Sequence, residues 1–539
     1  PLDEKISEMN LAKTQGLALA ALAIVTVDNP LCAATGHRIC NDCMKACIYQ
    51  RQEPVDIPQV ETRVLKDVLA LPWGFEIYSL LTRWTPLDFA RPLPRPDSGY
   101  KVLVVGLGPA GFNLAHHLLN DGHCVVAIDG LKIEPLDPEI SGREADGGPV
   151  PFRPIRDFAE LREDLGARVL AGFGGVAEYG ITVRWDKNFL KIVRLLLERR
   201  RDFAIFGGVR FGGTVTVETA LEMGFDHIAL CAGAGKPRFV AMPNALAKGV
   251  RMASDFLMAL QLTGAAKTDS LANLQLRLPV VVVGGGLTAV DAATEALAYY
   301  PVQVEKFLSR FEALSSETAR EDFLDGLTAE ERATADTFLA HARALRAERA
   351  AAADAGRPAR IRELLQSWGG ATLVYRRRLI DAPSYTGNHE EVAKALEEGI
   401  AFAECLSPKA IEIDGHGHCK AIRLGRTTFD ESGRLTEKGE EVLWPAGTVL
   451  IAAGTQPNTV LAREDPSSVP PLDGKFFQAF DIDENAVSPR PIAKPPSPDV
   501  FMAAFPDGRA MSFWGDLHPS YAGNVVKAMG GAKQGYPLV

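Results

Sequence analysis

YKVLVVGLGPAGFNLAHHLLNDGHCVVAID, residues 100–129, spells out a complete β-α-β unit. Val102 to Val105 form an apolar run that reads as a buried parallel strand. Gly106, Gly108 and Gly111 follow in the spacing G-x-G-x-x-G, and a helix with Leu114, Leu118 and Leu119 on its inner face comes next. A second strand, Cys124 to Ile128, ends at Asp129. The glycines let the backbone turn tightly and approach a pyrophosphate, which the free N–H groups of a helix N-terminus attract. A carboxylate about twenty residues on accepts hydrogen bonds from a ribose 2′-hydroxyl. The stretch predicts a dinucleotide site.

Working outward, a chain of 539 residues is too long for one core, and about three domains are expected. Apolar residues at 47% and charged residues at 23% are ordinary for a globular protein. A net charge of −10, with no basic stripe, argues against nucleic-acid binding. The longest apolar run, Leu17 to Val27, is too short to span a bilayer and lacks the flanks of a signal peptide. A cytoplasmic location is the default expectation. The chain starts at Pro1 rather than Met, as a processed or excised piece of a longer protein would.

Four of the eight cysteines crowd into LCAATGHRICNDCMKAC. Cys32, Cys40, Cys43 and Cys47 are separated by gaps of seven, two and three residues. A tight trio with a distant fourth thiolate suits a [4Fe–4S] cluster. Zinc and plain structural thiols are the alternatives. His37, inside the loop, reads as a solvated side chain. EPVDIPQVETRVLKDVLA reads as a turn and a helix, with Pro58 near its start. Residues 84–98, WTPLDFARPLPRPDS, hold four prolines and read as a stiff linker. Cys124, Cys231, Cys405 and Cys419 are scattered singly. A flavin that reduces a disulfide needs a cysteine pair beside it, so that chemistry is disfavoured.

Beyond Asp129, GFGGVAEYGITVRWDKNFLKIVRLLLE carries Gly174 and Gly175, where backbone can approach a ligand, and the basic Arg184 and Lys187. From Asn188 a helix is expected with Phe189, Ile192, Val193, Leu195 and Leu196 on one side. HIALCAGAG, His227 to Gly235, reads as a strand entering small residues pressed against a flat cofactor.

LPVVVVGGGLTAVDAATEALA repeats the nucleotide pattern. A buried strand, Val280 to Val283, meets Gly284, Gly285 and Gly286, and a helix starts near Thr288. The later strand ATLVYRRRLIDAP ends in Arg376, Arg377 and Arg378 rather than in an acid. Arginine there suits a 2′-phosphate, so this unit is expected to take NADPH in preference to NADH. Residues 303–366, rich in Ala, Arg and Glu, read as a helical insertion. IEIDGHGHCKAIRL reads as a hairpin; His416, His418 and Cys419 alternate faces on it and do not converge on a metal. TVLIAAGTQPNTV is a further strand. FWGDLHPSYAGNVVKAMGGAK sets Gly515 and Asp516 before a helix starting near Gly523 or Asn524, where a carboxylate could hold a ribityl hydroxyl. The first domain is therefore expected to be completed by the end of the chain.

The motifs CNDCMKAC…VDIP, GLGPAG, GGVAEYGI, CAGAGKPR, VVGGGLTAVDAA, YRRR…AP…EEVAKALEEGI, AAGTQPNT and WGD…GNVVKAM together resemble the glutamate synthase small (β) subunit and its relatives. That family includes the N-terminal part of dihydropyrimidine dehydrogenase and the large subunit of NADH-dependent ferredoxin:NADP oxidoreductase. The resemblance implies an α/β fold with two Rossmann-like domains, the second inserted in the first, behind a small α-helical iron–sulfur module. It implies FAD at Gly106, Gly108, Ala110, Gly111, Asp129, Gly175, Gly233, Gly515 and Asp516; Pro109, Gly174, Val176, Arg184, Gly523, Asn524 and Val525 complete that candidate set. It implies NAD(P)H at Gly284, Gly285, Gly286, Thr288, Arg376 and Arg377. The expected domains are residues 1–99 (cluster module and linker), 100–250 and 451–539 (FAD), and 251–450 (NAD(P)H). The implied activity is an FAD-dependent NAD(P)H:acceptor oxidoreductase. It would pass electrons through a [4Fe–4S] cluster to or from a partner subunit, a further domain or a ferredoxin. No side chain is singled out as an acid or base, because hydride transfer needs ring alignment. The chain departs from the family at Leu287, at Phe513 and Trp514, at Asp129 where Glu is common, and in holding cysteines for one cluster. A scaffold or regulatory subunit that holds FAD without turnover is the alternative.

Overall fold

The structure is a computed structural model, and it describes residues 2–35, 42–163, 187–314 and 317–539. The chain divides into two compact units: residues 1–236 with 456–539, and residues 237–455.

The first unit opens with helices α1 (Ile6–Thr14), α2 (Ala18–Asp28), α3 (Ile57–Leu69) and α4 (Gly74–Arg83). Asp56 caps α3 by accepting the Gln59 N–H at 3.2 Å, and Pro58 sits in its first turn, where no N–H is needed. These helices have no core of their own. Leu22, Val25, Leu65, Phe75 and Tyr78 belong to one apolar cluster with Val102, Val104, Leu114 and Leu118. The segment 84–98 is lashed down rather than free. Arg91 pairs with Asp121, and the Arg95 N–H donates to Asn120 O at 2.8 Å.

Strand β1 (Lys101–Val105), helix α5 (Pro109–Asn120) and strand β2 (Cys124–Asp129) form the first β-α-β unit, within a residue of the sequence reading. Side chains alternate across β1. Val102 and Val104 enter the core under α5, while Leu103 and Val105 enter a second core on the opposite face. Helix α6 (Lys187–Glu198) departs from the expected one-sided helix. From Phe189 on, only Lys191 is part-exposed, and Leu190, Arg194, Leu197 and Glu198 are buried beside the predicted apolar set. Burial of its charges is tolerated because Arg194 Nε meets Glu198 at 2.6 Å and Arg194 Nη1 donates to Glu134 O at 2.6 Å. Strands β3 (Phe203–Gly207) and β4 (His227–Leu230) follow; the expected strand through Gly235 stops at Leu230.

In the second unit, β5 (Val250–Met252), β6 (Val280–Val283), β7 (Ala371–Val374), β8 (Ala401–Ala403) and β12 (Thr448–Ile451) make a parallel sheet in the order β5-β12-β6-β7-β8. Between β8 and β12 lies an antiparallel sheet of β9 (Leu406–Ile413), β10 (Cys419–Phe429) and β11 (Leu435–Pro445). The dinucleotide helix α7 (Leu287–Glu312) runs 26 residues, so the helical insertion begins as its unbroken continuation, not at 303. Helix α8 (Ala329–Asp354) lays Ala335, Phe338, Ala342 and Leu345 against it at three- and four-residue spacing. Thr328 and Glu331 cap α8 reciprocally. Glu330 anchors it to the sheet domain through Lys248 and Arg277, each at 3.1 Å. Helix α9 (Pro383–Glu397) packs on α7.

The chain then returns to the first unit. Strand β13 (Phe501–Ala504) and strand β14 (Ala510–Phe513) extend the first sheet, and helix α10 (Val525–Gly535) packs on α5. The sheet order is β13-β14-β4-β1-β2-β3, with two short strands beyond β13. The chain leaves β1 for β2 on one side and returns from β3 to β4 on the other, so the strand order reverses at the carboxyl ends of β1 and β4, where ligands of such sheets bind. Among the described residues no helix is long and apolar enough to cross a membrane.

Candidate cofactor sites

At the end of β1 the Gly106 N–H donates to Ile128 O at 2.8 Å and the backbone adopts φ +96°. A Cβ there would lie 2.6 Å from Cys231 O, and one on Gly111 would lie 1.9 Å from Gly106 O. Gly108 is the N-cap of α5 and Pro109 opens the helix, which leaves the first N–H groups free for an anion. Asp129 ends β2 and is fixed there by two main-chain donors: Leu107 N–H and Leu131 N–H, both at 2.8 Å. Burial raises its carboxyl above the usual range, and those two N–H bonds pull the other way. Each carboxylate oxygen keeps a second acceptor position for a ribose hydroxyl.

The C-terminal return completes this turn. Trp514 N–H donates to Leu230 O at 2.9 Å, and Gly515 follows at φ +62°. A Cβ on Gly515 would lie 2.9 Å from the Ala110 side chain. Asp516 accepts the Gly523 N–H at 2.8 Å; burial raises its carboxyl. Asn524 caps α10 by accepting the Lys527 N–H at 2.8 Å, so the helix begins at Val525. Gly233 adopts φ +65° just beyond β4. Gly106 to Gly111, Asp129, Gly233 and Gly515 to Val525 therefore collect around the carboxyl ends of β1, β2, β4 and β14. Sequence reading missed the support beneath. Ser512 receives the Trp514 indole N–H at 2.7 Å and meets His227 Nε2 at 2.6 Å. Asn113 donates to Met529 O at 2.8 Å and joins α5 to α10. Gly174, Gly175, Val176 and Arg184 lie outside the described residues.

The second turn lies in the other unit. A Cβ on Gly284 would lie 2.4 Å from Ala452 O, and one on Gly285 would lie 2.5 Å from the Tyr375 ring. Ser384 N–H donates to Gly285 O at 2.9 Å. Gly286, with open space around it, is the N-cap of α7; Leu287 and Thr288 follow in its first turn. Past β7, Arg378 pairs with Asp381 at 2.8 and 3.0 Å. Among the described residues Arg376 and Arg377 make no such pair, so two of the three guanidinium groups are open to an anion. Their backbone is held. Thr427 Oγ1 donates to Arg376 O at 2.7 Å and Cys405 N–H to Arg377 O at 3.1 Å. The Phe429 ring lies 5.8 Å from the Arg377 guanidinium and 5.8 Å from that of Arg378.

Of the predicted metal ligands, Cys32 is buried in the turn Cys32–Thr35, its Sγ 3.4 Å from the Tyr78 hydroxyl. Burial pushes its thiol well up, and the nearby Glu61 carboxyl adds to this. Cys43 and Cys47 are half-buried, and Cys40 and His37 lie outside the described residues. Among the described residues, which leave out Cys40, no three His, Cys, Asp or Glu side chains are grouped as metal ligands. His418 and Cys419 are buried within the hairpin and likewise join no such group.

Two glycine turns, one followed by an acid and the other by arginines, recur in the chain, one in each unit. Residues 100–330 match the pyridine nucleotide-disulphide oxidoreductase family, a span covering both glycine turns and stopping short of the arginines. An uncharacterised protein of Rickettsia prowazekii is 41% identical over 520 residues, 94% of this chain and 63% of its own length. The glutamate synthase [NADPH] small chain of Bacillus subtilis is 26% identical over 57% of this chain and 52% of its own. FprA of Mycobacterium tuberculosis, solved in complex with NADPH, aligns with 82% of this chain and 84% of its own, at 18% identity and TM-score 0.41. The chain thus spans between half and two thirds of the length of the two curated relatives.

Proposed function

We propose that this chain is the electron-transfer part of an NAD(P)H:acceptor oxidoreductase, with FAD on the first turn and NADPH preferred on the second. The observation that carries this is the pairing of turn and strand end: Gly106–Gly111 with Asp129, and Gly284–Gly286 with Arg376 and Arg377. A carboxylate accepts from a free ribose hydroxyl, while guanidinium groups donate to a 2′-phosphate. Residues of the first turn would hold FAD, which would supply hydride acceptance and release of single electrons. The chain's own residues bind and orient. Asp129 and Asp516 offer carboxylates beside the first turn, and the two helix N-termini, behind Gly108 and Gly286, would receive phosphate. Cys32, Cys40, Cys43 and Cys47 are proposed as holders of a [4Fe–4S] cluster on the chemistry of four thiols in sixteen residues. The acceptor or donor would be a partner subunit, a further domain of a longer chain, or a ferredoxin, in a cytoplasmic setting.

The test is an anaerobic absorbance titration of the purified protein with NADPH and, separately, NADH. The expected result is bleaching of the oxidised-flavin band at lower NADPH than NADH, together with stoichiometric iron and sulfide by chemical assay. Flavin that stays oxidised with either nucleotide would overturn the turnover reading in favour of a scaffold. Zinc in place of iron would overturn the cluster.

A further inference from the structure

We infer that Phe429 is a positioning residue for coenzyme choice, holding Arg377 where a 2′-phosphate would be met. The inference rests on the reading of Arg376 and Arg377 as the phosphate pair. Phe429 closes β10, and its sequence position is 52 residues from Arg377, on an antiparallel strand with no dinucleotide motif. Yet β10 supports the whole arginine segment. Thr427, buried on that strand, bonds Arg376 O through its hydroxyl and Cys405 O through its N–H. Two residues on, the half-buried Phe429 ring lies under both Arg377 and Arg378. Arg378 is already committed to Asp381, so the ring's free influence falls on Arg377. An arginine on an exposed turn otherwise samples many rotamers and loses that freedom when it binds. An aromatic face restrains the guanidinium plane beforehand and leaves its N–H edge free to donate.

The test measures equilibrium binding of 2′,5′-ADP and 5′-AMP to the full chain by calorimetry, so it does not depend on flavin turnover. Phe429→Leu keeps the apolar bulk and removes the aromatic face; Phe429→Tyr keeps the face. The expected result is about a two- to five-fold weaker Kd for 2′,5′-ADP in F429L, the size of one cation–π contact. Binding of 5′-AMP should be unchanged, and F429Y should match the parent. In turnover, KM for NADPH should rise by the same factor while kcat holds. If R377A loses 2′,5′-ADP selectively but F429L does not, the positioning role is overturned and the phosphate reading stands. If F429L weakens both ligands equally, the ring is merely structural and the role is overturned. If R377A leaves the ratio of the two affinities unchanged, the phosphate reading itself fails and takes the inference with it.

Discussion

Gly111 has no room for one added carbon, whereas Gly286 has open space on that side. The two positions look alike in the sequence, and the structure separates them. Gly111→Ala should cost about 1–3 kcal/mol by overpacking and release bound flavin on purification. Gly286→Ala should leave the unfolding midpoint within a degree or two and change only nucleotide affinity. Thermal unfolding and the flavin-to-protein absorbance ratio check both. Replacing Arg376 and Arg377 together by Ala should raise the KM for NADPH at least about ten-fold, given roughly 1.5–3 kcal/mol per charge-assisted bond. The KM for NADH should stay put, and equal effects on both would sink the assignment. At this scale the tight turns at Gly106, Gly111, Gly284 and Gly285 were legible in the sequence, because only glycine fits where a Cβ would meet backbone or a ring. The sequence could not name Phe429, Tyr375 or Ser512, which act through contacts made from distant strands.

Single elements were legible where burial is simple. Strands β1 and β6 are apolar on both faces, so their ends are printed in the sequence. Helix α6 was misread as one-sided. Its outer face is closed by Arg194–Glu198 and by chain from residue 134, and charged letters normally mean solvent. The insertion was recognised as helical but started too late, because α7 carries polar and apolar residues through Pro301 without a stop. Helix α8 hangs on Glu330. Glu330→Gln should therefore cost about 1–2 kcal/mol and speed hydrogen exchange across 329–354, since both of its cationic partners lose a carboxylate. Unchanged exchange would show that the apolar seam alone seats the hairpin. In the cysteine segment, Cys43→Ser should strip iron while NADPH still bleaches the flavin. Loss of flavin reduction as well would place the thiol elsewhere in the electron path.

At the scale of the whole molecule, the first unit encloses four histidines, with His116, His227 and His518 buried and His117 half-buried. Burial holds His117 and His227 at about 3 and His518 at about 4, and it drives His116 well below its ordinary value. The unfolded chain takes up protons near 6.5, and the folded unit does not until far lower. Stability is therefore full above pH 6.5 and falls between 6.5 and about 4, by about 1.4 kcal/mol per pH unit for each such histidine. Asp129 and Asp516, with raised carboxyls, work the other way near the acid end. Urea unfolding at pH 7.5, 6.5 and 5.5 should show the decline, and His227→Gln should flatten it. The two-unit plan was readable from the paired glycine motifs. What the sequence hid is that the first ninety-odd residues share a core with the first β-α-β unit, because helix-to-helix docking leaves no local mark. The insertion between 236 and 456 also has a meaning for synthesis. Strand β4 waits for β14 while some 280 residues, the whole second unit included, leave the ribosome. The first turn gains Gly515 and Asp516 only after the whole second unit has been made, so in a growing chain the turn at Gly284–Gly286 is complete before the one at Gly106–Gly111.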